Sequence, residues 1–477
     1  MHEMVIKGGR VALDDGWREC DVGIEQGRIA ALGTGLAGEA SLDARGHWVM
    51  PGGIDAHCHL DQPAWKGTTT ADDFESGSIS AAFGGTTCIV AFASPGTKLT
   101  SIGAFNRAIK CAADRSVIDY GLHGVVTMNT GNDLINQFRD LVKAGVTSVK
   151  LYMTYEGFAV DDDVMLAVMD AARSFGMIVM VHAENDAAIR RTRQRLVDLG
   201  HTHLRYHSIA HGEAMEREAA HRALTFAEIT GTRIVIVHVS CAQTGEEIVR
   251  SRARRVSAIA ETCPQYVFFS AADLDRMPLE EAVKYMFTPP ARSRNNQQYL
   301  WAALEDGTID LWSSDHSPYY LAEVLRDPQK LTFDKAGGST PGLETRLPLL
   351  FSAGLLSGRL SLERYLDLTA RNAAEIYGLA HLKGRIKPGL DADLAIWDPR
   401  AKWKITQPVL HSRVEFTPYE GIEVTGKPTT VLVRGVPVIA DGRLCAKPGF
   451  GRFVPRAAAD IKNFGEPIEE TTPWRNV

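Results

Sequence analysis

The feature that most constrains this chain is a repeated beat: a short apolar run, a turn, then an amphipathic helical stretch. The runs are HWVMPGGIDAH (47–57), TTCIVAF (86–92), YGLHGVV (120–126), TSVKLYM (147–153), MIVMVHA (177–183), RIVIVHV (233–239), VSAIAET (256–262) and IDLWSSD (309–315). They are rich in Val and Ile and mostly lack polar alternation, as in parallel strands buried on both faces. Between them, stretches such as NDLINQFRDLVKAG and DDVMLAVMDAARSFG repeat apolar residues at i, i+3, i+4 and i+7 and end on a Gly stop signal. Eight strands alternating with helices predict an α/β chain with a closed (β/α)8 TIM-like barrel over 52–375. An open doubly wound sheet is the alternative, but no GxGxxG follows the first strand.

The two ends read differently. VIKGGRVAL and CDVGIEQGRIAALG near the start, and GRIKPGLDADLAIWDP and TTVLVRGVPVIADGR near the end, are short strands punctuated by Gly-containing turns. We expect 1–51 plus 376–450 to form one small β-sandwich domain from both chain ends, 52–375 to form the catalytic barrel, and 451–477 to be a C-terminal extension, an extended arm.

A formal net charge of -6 offers no basic surface for a nucleic acid or an anionic membrane, so neither is expected as a partner. No stretch approaches the roughly 18 apolar residues of a membrane helix, and MHEMVIKGGRVALDDG has no apolar core of a signal peptide. The seven cysteines are scattered and never in a CxxC pair. That predicts reduced thiols, mostly in the core, and a cytoplasmic protein.

In a barrel, reactive residues gather where strands finish. The first run ends in Asp55-Ala56-His57-Cys58-His59, the fourth carries Lys150, the fifth and sixth end near His182 and His238, and the eighth ends in Asp315. Imidazole and carboxylate are ligand types that Zn²⁺ accepts, and residues i and i+2 of a strand share a face, so His57 and His59 can reach one ion. Each has a bland reading: a strand-end His held by hydrogen bonds, an Asp capping a loop, a Lys snorkelling outward. Together they require several coincidences at one face. His201-Thr202-His203 has the same spacing but lies in the polar stretch DLGHTHLRYHS and reads as a solvated loop, and His123 reads as structural. Lys150 is the informative oddity, because an ammonium among barrel strands is disfavoured unless paired. Burial makes a neutral, nucleophilic amine accessible, and such an amine can take up CO2 as a carbamate able to bridge two cations.

These residues resemble the cyclic amidohydrolases (dihydropyrimidinase, hydantoinase, allantoinase, dihydroorotase), and most closely the dihydropyrimidinase/hydantoinase branch. The segments that carry the resemblance include GGIDAHCHLDQP, SVKLYMTYEG, VMVHAEN, VIVHVS, ETCPQY, FTPPAR, WSSDHSPY, PGLETRLPLL and GRIKPGLDADLAIWDP, in family order over nearly the whole chain. The resemblance implies two divalent metal ions, with Zn²⁺ suited to the ligands: His57, His59 and Asp315 on one, His182 and His238 on the second, and N6-carboxylated Lys150 across both. It implies Asp315 as the catalytic proton carrier, Tyr155 as oxyanion stabiliser, and main-chain groups near Thr288 and Gly338 as holders of the substrate amide. Thr288 departs from the usual Ser, and Gly338 from a frequent Asn. Asp61 stands where dihydroorotases carry an Arg, and an acid there would repel a substrate carboxylate. Trp65, Phe92, Tyr152 and Phe158 are expected walls for the ring substituent.

The expected reaction is hydrolysis of a cyclic amide, a dihydropyrimidine or 5-substituted hydantoin, to an N-carbamoyl amino acid. The resemblance also implies a homotetramer or homodimer. Allantoinase, or another cyclic imide or amide hydrolase, is the alternative on the same scaffold. A non-enzymatic dihydropyrimidinase-like scaffold protein is disfavoured by the filled ligand positions, and a one-metal deaminase-type barrel by Lys150 and Tyr155 together.

Overall fold

Gly52 divides the first apolar run into two strands that belong to different sheets. The computed structural model describes residues 1–63, 69–96, 98–128, 133–275 and 277–457. The first segment forms β1 (His2–Leu13), β2 (Gly16–Glu25), β3 (Arg28–Gly33), β4 (Gly38–Asp43) and β5 (Trp48–Pro51). The chain then enters the barrel strands β6 (Gly53–Cys58), β7 (Thr86–Ala93), β8 (Asp119–Val125), β9 (Ser148–Tyr152), β10 (Ile178–His182), β11 (Ile234–Ile236), β12 (Ala258–Thr262) and β13 (Leu311–Trp312). It returns through β14 (Leu394–Lys404), β15 (Glu423–Val433), β16 (Val436–Ala440) and β17 (Arg443–Leu444). A Cβ at Gly52 would fall 2.2 Å from the Thr87 side chain. Only a bare backbone can pass so close to β7, which is why the expected single strand over 47–57 is broken there.

Among the described residues the barrel strands form one parallel sheet in sequence order from β6 to β13. Closure comes just beyond the strands: Cys58 bridges His316, and the His59 amide donates to His316 O at 2.7 Å. Helices alternate with the strands; Leu134–Lys143 and Asp162–Ser174 occupy the two stretches singled out by period. The remaining strands make a second sheet in the order β17-β16-β15-β14-β5-β1-β2-β3, with β4 paired to β1. Its seam is β5, antiparallel to β14 and parallel to β1, so both chain ends build it. The fold is α/β: a (β/α)8 barrel with a smaller domain whose single sheet is built from the two chain ends, in place of the expected two-sheet sandwich.

Alternate residues of each barrel strand fill the interior. Ile54, Ala56, Cys88, Val90, Ile178, Met180, Val235 and Ile259 form an inner cluster. Their neighbours Ile89, Ala91, Val179, Val181 and Ala260 pack in the main core with the helices. This alternation decides which strand residues can reach the mouth.

The described start of the C-terminal extension is docked on the barrel. Val454 N–H donates to Tyr120 O at 2.8 Å, and the buried Arg456 guanidinium donates to Ser148 Oγ at 2.8 Å and to Leu122 O beneath the barrel. The seven cysteines are free, and Cys20, Cys58, Cys88, Cys241 and Cys263 are buried. No helix among the described residues is long and apolar enough to cross a membrane.

A buried ion cluster ties the barrel to the end-built sheet. Lys383 Nζ lies 2.8 Å from Asp119 at the start of β8, and 3.1 and 2.5 Å from Asp391 and Asp393 just before β14. Removing one partner of a buried charge network leaves the others uncompensated. Lys383→Met is therefore expected to lower unfolding free energy by about 3–5 kcal/mol, measured by urea denaturation. An unchanged midpoint would show that the cluster does not hold the two parts together.

Candidate active site

Strand parity carries some of the expected residues to the mouth, and backbone irregularities carry the rest. On β9, Val149 and Leu151 face the helices, so Lys150 faces inward. On β10, Ile178 and Met180 are interior, which puts His182 on the same face. On β12, Ile259 is interior, and Glu261 shares its face two residues on.

His57, His238, Asp315 and Tyr155 need a break in regularity. The pairing of β6 with β7 shifts register between Asp55 and Cys58. Such a bulge re-aims side chains, and beyond the interior Ala56 it turns His57 toward Asp315. His238 and Asp315 lie just past β11 and β13 with φ of 41° and 50°, and Tyr155 has φ 80°. Left-handed backbone at non-glycine residues costs of order 1–3 kcal/mol each and collects at functional sites.

The result is a tight constellation. His57 Nε2 and His59 Nε2 lie 3.0 and 3.3 Å from the same oxygen, Asp315 Oδ1. Potential ligand atoms of His57, His238 and Asp315 all fall within 4.8 Å of one another. The His182 and His238 rings are 4.5 Å apart, and Tyr155 lies 4.9 Å from His182. Lys150, 1% exposed, makes no ion pair with a described residue; its Nζ stands 5.0 Å from the Phe92 ring and 5.2 Å from the Tyr152 ring.

Burial and neighbouring charge set the protonation states. Burial lowers the Lys150 ammonium to about 8. Burial pushes the Tyr155 phenol well above its ordinary value, so it remains a donor. Burial works to raise Asp315, but His57, His59 and His238 around it hold the carboxyl well below the usual range.

Two buried nitrogens, His57 Nε2 and His238 Nδ1, have no aligned hydrogen-bond partner. Buried polar atoms are otherwise almost always satisfied. Orphaned ring nitrogens converging on a carboxylate fit a metal ion, and the imidazole/carboxylate donor set suits Zn²⁺.

Carboxylates behind the histidines were missed in the sequence. Glu261, fully buried, takes His57 Nδ1 at 2.5 Å, the His238 amide at 3.2 Å and Ser313 Oγ at 2.9 Å. Glu184, also fully buried, takes His182 Nε2 at 2.7 Å and His211 Nδ1 at 2.9 Å. Such partners orient ligating imidazoles and raise their basicity. The signal was available: an acid in an apolar run (VSAIAET) is as anomalous as Lys150. Gln62 Nε2 lies 2.7 Å from His59 Nδ1 while its Oε1 has no partner. Exchanging the amide's O and N lets Nδ1–H donate and leaves Nε2 free.

The predicted substrate-holding residues adjoin. A Cβ at Gly338 would meet Thr288 Oγ1 at 2.7 Å, and that oxygen lies 3.3 Å from His207 Nε2. Tyr152, Tyr155 and Phe158 form an aromatic group with ring centres 5.5–6.0 Å apart. Phe92 does not join them as a wall. It is 2% exposed on the inner face of β7, beneath His57 and His59 at 4.9 Å each, and supports the imidazoles. Trp65 lies outside the described residues.

Asp61 accepts the Phe74 amide at 2.9 Å and has Arg115 at 3.5 Å. Its charge is compensated there, so the argument from carboxylate repulsion falls and only the missing Arg speaks against dihydroorotate. His123 is held through both ring nitrogens, to Ser148 Oγ at 2.6 Å and Ala56 O at 2.9 Å. His201 and His203 are exposed, far from this chemistry in kind: His203 only caps a short turn.

Residues 48–438 match the Amidohydrolase family. The chain belongs to this family. Among the relatives of this amidohydrolase, a D-hydantoinase of Ralstonia pickettii is 37% identical over 456 residues, covering 95% of this chain and 99% of the relative. A D-hydantoinase of Geobacillus stearothermophilus is 38% identical over 461 residues, covering 95% and 96%. The solved structure of a dihydropyrimidinase from Brevibacillus agri NCHU1002 superposes with a TM-score of 0.92 at 33% identity, covering 96% of this chain and 99% of that one.

Proposed function

We propose that this amidohydrolase hydrolyses a cyclic amide, a dihydropyrimidine or a 5-substituted hydantoin, to an N-carbamoyl amino acid. The observation that carries the reading is the convergence of His57, His238 and Asp315 around orphaned ring nitrogens, in a chain aligned end to end with D-hydantoinases.

His57, His59 and Asp315 would hold one divalent cation and His182 and His238 a second, with Lys150, once carboxylated, available to both; Zn²⁺ suits these donors. When bound, the pair supplies an activated water near neutral pH and polarises the scissile carbonyl. Asp315 takes the proton of the attacking water and delivers it to the departing ring nitrogen, first base and then acid. Tyr155 donates its phenolic hydrogen to the oxygen on which charge develops. Main-chain groups at Thr288 and Gly338 hold the amide edge of the ring, and Tyr152 and Phe158 flank its substituent. The catalytic unit spans 52–375 and the end-built sheet domain 1–51 plus 376–450, in a cytoplasmic homotetramer or homodimer.

The deciding experiment is metal content per chain together with turnover of dihydrouracil, hydantoin, 5-phenylhydantoin and allantoin. The expected result is about two metals per chain and turnover of hydantoins or dihydropyrimidines. Two metals with turnover of allantoin alone would move the substrate to that class. No metal and no turnover after reconstitution with metal and bicarbonate would overturn the reading.

A further inference from the structure

Behind His182 lies a chain of three side chains, Glu184 and His211 buried and Arg193 half-buried, whose hydrogen-bond directions follow from one another. It begins at Arg193, on the helix Asp186–Asp198, whose Nη2 lies 3.3 Å from His211 Nε2. A guanidinium has only donors, so His211 Nε2 must accept. The hydrogen of that ring therefore sits on Nδ1, which donates to Glu184 Oε1 at 2.9 Å. The other oxygen, Oε2, lies 2.7 Å from His182 Nε2. An ionised carboxylate only accepts, so His182 carries its hydrogen on Nε2 and keeps the lone pair on Nδ1. Glu184 is fully buried and His182 and His211 are each 2% exposed, so water does not offer any of them an alternative partner.

We propose that Arg193, His211 and Glu184 are positioning residues that act as a directional lock, holding His182 in the one tautomer that offers Nδ1 to a metal ion. The inference rests on the metal-centre reading above and adds to it residues that make no contact with the metal or the substrate. It differs from a purely structural role because it depends on the order of donors and acceptors along the chain, and not only on shape.

Glu184→Gln tests this, because it keeps the shape and breaks the order. The introduced amide offers one acceptor and one donor to two rings that both donate. One ring must exchange its tautomer, and Arg193 blocks the exchange at His211. His182 is then forced to carry its hydrogen on Nδ1. Adding Arg193→Met removes the block: His211 moves its hydrogen to Nε2, accepts from the introduced amide nitrogen at Nδ1, and frees the amide oxygen for His182.

The measurement is calorimetric titration of metal-free full-length chain with Zn²⁺, with the melting temperature of each metal-free variant as a folding control. Glu184→Gln is expected to weaken one of the two metal sites about 10–100-fold, as loss of an outer partner commonly does. Glu184→Gln with Arg193→Met should return to within about threefold of the parent, a recovery no lost packing contact would produce. A double variant as weak as the single one, or a single variant that binds as the parent does, would overturn the proposal. If the single variant does not fold, the double variant decides alone: parental affinity supports the lock and a lost metal refutes it. A parent that takes up fewer than two metals would overturn both the lock and the metal reading. A parent that takes up two but opens no cyclic amide would remove only the substrate assignment.

Discussion

Replacing Lys150 with alanine is expected to leave at most one metal per chain and to reduce hydantoin hydrolysis by at least about a thousandfold, the joint effect of losing the shared ligand and the activated water. Lys150 is nearly fully buried on the inner face of β9, without an ion-pair partner among the described residues, and burial lowers its ammonium to about 8. A position so costly for a cation makes sense if the side chain ends as an anion shared by two cations. The pH dependence follows from the direction of the shift. Only the neutral amine takes up CO2, and its fraction grows as pH rises through about 8. At fixed dissolved CO2, recovery of metal binding by carbonate-depleted, metal-free chain should accelerate through that range and level off above it. A Lys150→Ala chain with two metals and full rate would end the carbamate proposal, and so would recovery independent of CO2.

Tyr155→Phe should lower kcat about 10²–10³-fold, equivalent to about 3–4 kcal/mol, with KM changed little. The phenol is held for this task in three ways. Burial pushes its pKa well above the ordinary value, so the hydrogen stays on. Its backbone is left-handed at φ 80°, and the His182 ring packs against it at 4.9 Å. Steady-state kinetics separates the possibilities. A rise in KM at constant kcat would make Tyr155 a ground-state binding residue and would leave the developing oxyanion to other groups.

The barrel was legible because parallel strands buried on both faces leave continuous apolar runs, and each of the eight runs overlaps a barrel strand. That the run 47–57 breaks into two strands of different sheets was not, since its cause is the Thr87 side chain, far along the chain, at 2.2 Å from where a Cβ at Gly52 would stand. Asp61 and Phe92 were misjudged for a related reason. Their residue types suit a substrate pocket, but the Phe74 amide and Arg115 engage one, and β7 parity buries the other. Glu184 and Glu261 passed unnoticed because an acid near a strand end declares its role only when the ring it orients is known.

What the sequence by itself determined is periodicity and chemistry: which segments alternate, and which imidazole, carboxylate and amine groups lie near strand ends. Lys150 and His182 follow directly, because two-residue strand periodicity places them on the inner face. Only the tertiary structure decided that His57, His238 and Asp315 face the same point. They do so through a β-bulge in one case and left-handed φ angles of 41° and 50° in the others. Those conformations are unfavourable for an isolated chain. They persist because the closed barrel, with Cys58 bridging His316 and Glu261 receiving both His57 and the His238 amide, supplies contacts from distant segments that local sequence cannot encode.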